Sequence, residues 1–179
     1  MSHTHPFHQF HYCPKCGSAH FQEHNNKSKA CADCGFVYYF NPSAATVAVI
    51  IDAQDRLLVC RRGKEPAKGT LDLPGGFCDC FESAEEGVAR EVLEETGLRV
   101  THSTFLFSLP NTYLYSDFLV HTVDLFFCCD VEATAQAHAM DDAAELLWLP
   151  LHAIHPEDFG LQSVRTGVTR LLDMLRSRP

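Results

Sequence analysis

The sequence predicts an α/β protein in which a sheet-forming domain follows a small cysteine-rich module. Three observations carry this expectation. β-branched and apolar runs of strand length recur through the middle of the chain, a capped acidic helix interrupts them, and two CxxCG knuckles precede the first run. At 179 residues and 46% hydrophobic, the chain can hold one sizeable core plus a small appended module.

Residues 1–11 hold His3, His5, His8 and His11 at irregular spacing, which reads as an exposed arm able to bind metal weakly. Residues 12–40 follow as the small module. Cys13-Pro-Lys-Cys16-Gly17 and Cys31-Ala-Asp-Cys34-Gly35 present four thiolates from two tight turns, which suits a tetrahedral Zn²⁺. Disulfides fit less well. Nine cysteines is an odd total, five lie outside the knuckles, and no apolar stretch near Met1 resembles a secretory signal. A closed four-cysteine site is structural and contributes folding free energy to a segment too short to bury its own core; the alternative is a redox or transient-metal role.

The main domain spans 41–179, after an Asn41-Pro-Ser linker. Residues 45–51 and 57–62 read as strands around an Asp-Ala-Gln-Asp turn, and 70–73 as a short strand into a Pro-Gly-Gly loop. A helix follows, with Ser83 and Glu86 as its capping box, Val88, Ala89, Val92 and Leu93 as its apolar arc, and Gly97 as its stop. Further strands are expected near 100–106, 121–131 and 145–149. Leu161, Val164, Val168, Leu171, Leu172 and Leu175 have helical spacing and close the chain.

The acidic helix is the most informative element. Glu91, Glu94 and Glu95 lie at i, i+3 and i+4, where like charges on one face repel by a few tenths of a kcal/mol per pair. Glu94 and Glu95 also sit near the negative end of the helix dipole. Propensity does not ask for this arrangement. A hard divalent ion with oxygen ligands, Mg²⁺ most naturally, supplies the missing charge. Gly87, one turn before Glu91, leaves room for a ligand, and Arg90 is placed to hold carboxylates rather than to meet solvent.

This segment resembles the Nudix hydrolase signature, GX5EX7REUXEEXGU, with U a bulky aliphatic residue. Gly76, Glu82, Arg90, Glu91, Val92, Glu94, Glu95, Gly97 and Leu98 occupy its nine specified positions, and Pro74-Gly75 completes the usual Pro-Gly-Gly lead. Phe81 departs from the family, which usually has glycine before the glutamate. The resemblance implies an α/β/α sandwich with a mixed sheet, preceded by a zinc ribbon. It implies that Glu91, Glu94 and Glu95, with the carbonyl of Gly75, bind Mg²⁺ or Mn²⁺. Glu82 pairs with Arg90 or supports a further metal. The implied reaction is attack of water on one phosphorus of a nucleoside diphosphate derivative. The general base is either a box glutamate or a later acidic residue: Asp141, Asp142 or Glu145, of which Glu145, shortly before Trp148, leads.

A ribbon ahead of the box also resembles the NADH pyrophosphatase branch. The branch's Ser-Gln-Pro-Trp-Pro-Phe-Pro segment is replaced here by Ser108-Leu-Pro-Asn-Thr-Tyr-Leu-Tyr115, so nicotinamide specificity does not carry over. Ahead of the catalytic loop, Arg62 and Lys68 belong to the one basic cluster and are candidates for a substrate phosphate. Tyr113 and Tyr115, read as part of an aromatic loop, are candidates for base stacking, with packing under a loop as the alternative.

The expected substrate is a small nucleotide, of ADP-ribose or dinucleotide type. An inactive nucleotide sensor and an NAD(H) pyrophosphatase are the alternatives. A nucleic-acid adaptor is disfavoured, because the formal net charge is −9 and the ribbon holds only Lys15, Lys27 and Lys29. No run is apolar enough to span a bilayer, and the cytoplasm is the expected compartment. A homodimer is compatible with the family resemblance.

Overall fold

The computed structural model describes residues 8–132, 137–140 and 143–177. It divides into two compact units, Met1–Pro42 with Thr112–His121, and Ser43–Asn111 with Thr122–Pro179.

The smaller unit is built on an antiparallel sheet of β1 (Phe21–Asn25), β2 (Ser28–Cys31) and β3 (Val37–Tyr39). Its core is Cys13, Phe21 and Cys31, with Phe10, Cys34 and Phe36 packed against it. Phe10, which the sequence assigns to the arm, is therefore part of the ribbon's packing. Its ring meets Phe40 edge-on at 4.9 Å and Phe118 at 5.7 Å. The Gln9 amide donates to the Asp117 carbonyl at 2.6 Å. Lys29 is buried and donates from Nζ to the Phe10 carbonyl at 2.5 Å, so one of the ribbon's three lysines is spent on structure.

Phe118 and Asp117 belong to the tip of a long hairpin formed by β7 (Val100–Tyr115) and β8 (Phe118–Val131). The loop expected around Tyr113 and Tyr115 is instead strand. Only Ser116 and Asp117 turn, both at positive φ (50° and 58°), the pattern of a two-residue hairpin turn whose twist matches its strands. Pro110 is accommodated because β7 is an edge strand.

In the larger unit, β4 (Ser43–Val49) runs parallel to β8, in the order β4-β8-β7. β5 (Arg56–Arg62) lies antiparallel between β6 (Leu71–Asp72) and β9 (Ala143–Pro150). Period-two alternation explains the layers. Val47, Val49, Leu57 and Val59 face one way, toward Val164, Val168 and Leu171 of α2 (Gln162–Arg176). Ala48, Ile50 and Leu58 face the other way, toward Val88 and Val92 of α1 (Ala84–Thr96). The result is a mixed α/β sandwich with a helix on each face of the strands.

Candidate active site

α1 begins and ends where its local chemistry dictates. The Glu86 amide donates to Ser83 Oγ at 3.2 Å, and the Ser83 amide donates to Glu86 Oε2 at 2.7 Å. Gly97 closes the helix in the left-handed conformation. Val88 and Val92 of the expected apolar arc are buried and anchor the helix, whereas Ala89 is half-buried and Leu93 is exposed.

Arg90 organises the carboxylates. Its Nε and Nη2 grip Glu82 bidentately at 3.1 and 2.7 Å. Its Nη1 donates to Glu91 Oε1 at 2.8 Å and to Glu94 Oε2 at 3.0 Å. Nη2 also donates to the Phe77 carbonyl at 2.9 Å, and Asp79 Oδ2 lies 3.7 Å from Nε. Glu86, one turn away, is left to the cap. The Arg90 hydrogen bonds, seconded by the Asp79 amide, hold Glu82 below the usual carboxylate range. Glu91 moves the other way. Burial outweighs the hydrogen bond from Arg90 and raises its pKa.

The Pro-Gly-Gly loop closes over the same face. Glu95 Oε2 accepts from the Gly75 amide at 3.0 Å. Gly75 has φ of 152°, and a Cβ there would stand 2.1 Å from the Thr46 carbonyl oxygen. At Gly76 a Cβ would meet the Glu91 carboxylate at 2.6 Å. Gly76 is required by close approach, and Gly75 by close approach and by its backbone conformation together. The Thr46 amide donates to the Gly76 carbonyl at 2.8 Å, which ties this loop to β4. Phe81, in the place of the family's glycine, adopts φ of 72° and is fully exposed.

Several expected residues are occupied elsewhere. Glu145 accepts from Arg61 Nε at 3.1 Å and lies on the face of β9 that carries Leu147 and Leu149, opposite the face covered by α1. Arg62 donates from Nη1 to buried Asp72 at 2.5 Å and from Nε to the Pro66 carbonyl at 2.7 Å. Lys68 is exposed on the loop before β6. Gly87 leaves no ligand space: a Cβ there would meet Glu82 Oε1 at 3.1 Å and Cys78 Sγ at 3.4 Å. Tyr115 is exposed near the hairpin turn, whereas Asp141, Asp142 and the Tyr113 side chain lie outside the described residues. Asp79 and Phe77 join the site unannounced by the sequence, because a backbone carbonyl acceptor and one loop aspartate leave no pattern there; Gly76 is a signature position whose close approach to Glu91 only the structure shows.

Glu91, Glu94 and Glu95 offer only oxygen atoms, the chemistry a hard divalent ion takes, and the close approach of Gly76 keeps Glu91 against the loop. In the smaller unit the Sγ atoms of Cys13, Cys16, Cys31 and Cys34 all lie within 4.8 Å of one another. The Cys13–Cys34 and Cys16–Cys31 separations are 3.8 and 3.6 Å. A tetrahedral ion with zinc–sulfur bonds of about 2.3 Å asks for roughly 3.8 Å between sulfurs. The Cys34 amide, with a further contribution from the Asp33 amide, outweighs burial and draws the Cys31 thiol down to about 6, favouring the thiolate a metal needs. The cluster is compatible with a zinc ribbon.

The NUDIX domain model matches residues 41–169. An ADP-ribose pyrophosphatase of Methanocaldococcus jannaschii is 36% identical over 116 residues, 64% of this chain and 65% of the relative. The NAD-capped RNA hydrolase NudC of Vibrio cholerae is 31% identical over 99 residues, covering 55% of this chain and 36% of that protein. The chain thus spans less than two thirds of the length of these curated relatives. A NUDIX hydrolase structure from Nitrosomonas europaea superposes with a TM-score of 0.73 at 20% identity, covering 94% of each chain. With the family model matched across most of its length, the chain belongs to the NUDIX family.

Proposed function

We propose that this chain is a divalent-metal-dependent pyrophosphohydrolase that splits the diphosphate linkage of a nucleoside diphosphate derivative, of ADP-ribose or dinucleotide type. The observation that carries the reading is the apposition of Glu91 and Glu95 on α1 with Gly76 and Gly75 of the loop. The printed activity of the Methanocaldococcus relative supports the ADP-ribose class. Glu91, Glu94, Glu95 and the Gly75 carbonyl would hold Mg²⁺ or Mn²⁺, which would supply charge neutralisation at the phosphate and acidification of the attacking water.

The protein's share is positioning. Arg90, anchored on Glu82, fixes Glu91 and Glu94 before substrate arrives and cedes them when a stronger cation binds. Glu145 is engaged by Arg61, which leaves a box glutamate, Asp141 or Asp142 as the candidate water-activating base. Lys68 is the freer of the two basic candidates for a substrate phosphate, since Arg62 neutralises Asp72. Residues 12–40 form a structural zinc module ahead of a hydrolase domain at 41–179, and the protein acts in the cytoplasm, where its thiols stay reduced.

The test is a pooled panel of nucleotide sugars, dinucleotides, coenzymes and nucleoside triphosphates, with and without Mg²⁺, followed by mass spectrometry. One substrate yielding two monophosphate products only with metal supports the proposal. No turnover by folded, zinc-loaded protein overturns it and moves the search to bound ligands.

A further inference from the structure

Phe81 breaks two local rules at once. Its φ of 72° is costly for a residue with a Cβ, and its large apolar ring is fully exposed. Glycine would relieve the backbone and, with the ring touching no core, would lose no packing there. Folding therefore gives no reason for phenylalanine here.

The ring's root is fixed relative to the carboxylates. The Phe77 carbonyl accepts from Arg90 Nη2 at 2.9 Å, the Asp79 amide donates to Glu82 Oε1 at 2.5 Å, and Glu82, the next residue, is gripped by Arg90. Arg90 in turn holds Glu91 and Glu94. Phe77 on the same loop is also partly exposed. For a diphosphate held at those glutamates, this loop, bonded to Arg90 and Glu82, is part of the immediate surroundings. Two exposed rings on one short loop are far too small for a protein-docking surface, but a single ring matches the face of one base.

We propose that Phe81 is a specificity-determining residue whose ring stacks on the planar base of the bound nucleotide at the rim of the carboxylate site. The inference rests on the nucleotide reading above and deepens it.

The test compares Phe81→Gly, Phe81→Leu and Phe81→Tyr by melting temperature, by kcat and KM on the panel's best substrate, and by calorimetric Kd for ADP-ribose with Ca²⁺ in place of Mg²⁺. Glycine raises the melting temperature. Glycine and leucine raise KM and Kd about ten-fold, the loss of one base–aromatic stack, with a much smaller change in kcat. Tyrosine restores wild-type binding. Unchanged KM and Kd in the leucine and glycine variants overturn the proposal and leave Phe81 as tolerated strain. Should the wild-type chain bind ADP-ribose without hydrolysing anything, the reaction reading fails while the leucine Kd still decides the platform. Binding of no nucleotide overturns both.

Discussion

The two donor clusters are organised in opposite ways. In the ribbon unit four sulfurs already converge on one point, held by backbone turns that leave Cys13 and Cys31 buried. On α1 the carboxylates are parcelled out, Glu91 and Glu94 to Arg90 and Glu95 to the Gly75 amide. The contrast follows from chemistry. Thiols are neutral when protonated and tolerate crowding, so a soft-metal site can close in advance. Three carboxylates cannot be gathered without a cation, and Arg90 is the cation the chain itself provides. The sulfurs are thus gathered in advance, whereas the carboxylates are held apart on partners from the chain itself.

That comparison can be broken at three points, in falling order of effect. Cys31→Ser removes one of the four converging sulfurs. Metal-binding free energy is folding free energy in such a site, so we expect loss of bound zinc and loss of amide-exchange protection through β1–β3. Elemental analysis with hydrogen exchange reads both, and an unchanged ribbon without zinc would show that the convergence needs no metal.

Glu95→Gln attacks the carboxylate site. Hydrolysis should fall on the order of 10³-fold, with weaker Mn²⁺ binding by titration and an intact ribbon. Retained turnover would remove Glu95 from the metal assignment.

The smallest effects are in stability and have opposite signs. Glu82 has a depressed pKa, so its contribution is present above its ordinary value of 4.5 and is lost as pH falls through the lower, folded value. Glu82→Gln should therefore lower the melting temperature at neutral pH and converge with wild type in acid. Glu91 has a raised pKa, so its ionised form costs stability above that same ordinary value, and the cost vanishes below it. Without divalent metal, Glu91→Gln should raise the neutral-pH melting temperature. Melting curves across pH check both, and parallel behaviour of the two variants would mean that Arg90 does not divide the cluster as described.

How much of this was legible in the sequence depended on range. The capping box, the i, i+3, i+4 glutamates and the paired knuckles are spaced by helix or turn geometry, so sequence distance stands in for spatial distance. Arg61 with Glu145 is set by the register of β5 against β9, 84 residues apart, and Arg62 with Asp72 by that of β5 against β6. No local pattern encodes either pairing. Both therefore looked like unclaimed charges. Tyr113 and Tyr115 read as loop because polar and aromatic residues cluster there, yet the turn needed only Ser116 and Asp117. Phe81 was visible as a departure from the family, but its left-handed backbone required the structure.

The edge-on contact between Phe10 and Phe118 also orders events in time. During synthesis the four cysteines emerge before the residue that completes their unit, since Phe118 follows Cys34 by 84 residues (118 − 34). At translation rates of about 5–20 residues per second, that gap lasts roughly 4–17 seconds. The four thiols are therefore available to a metal for that interval, before Phe118 can close the aromatic cluster.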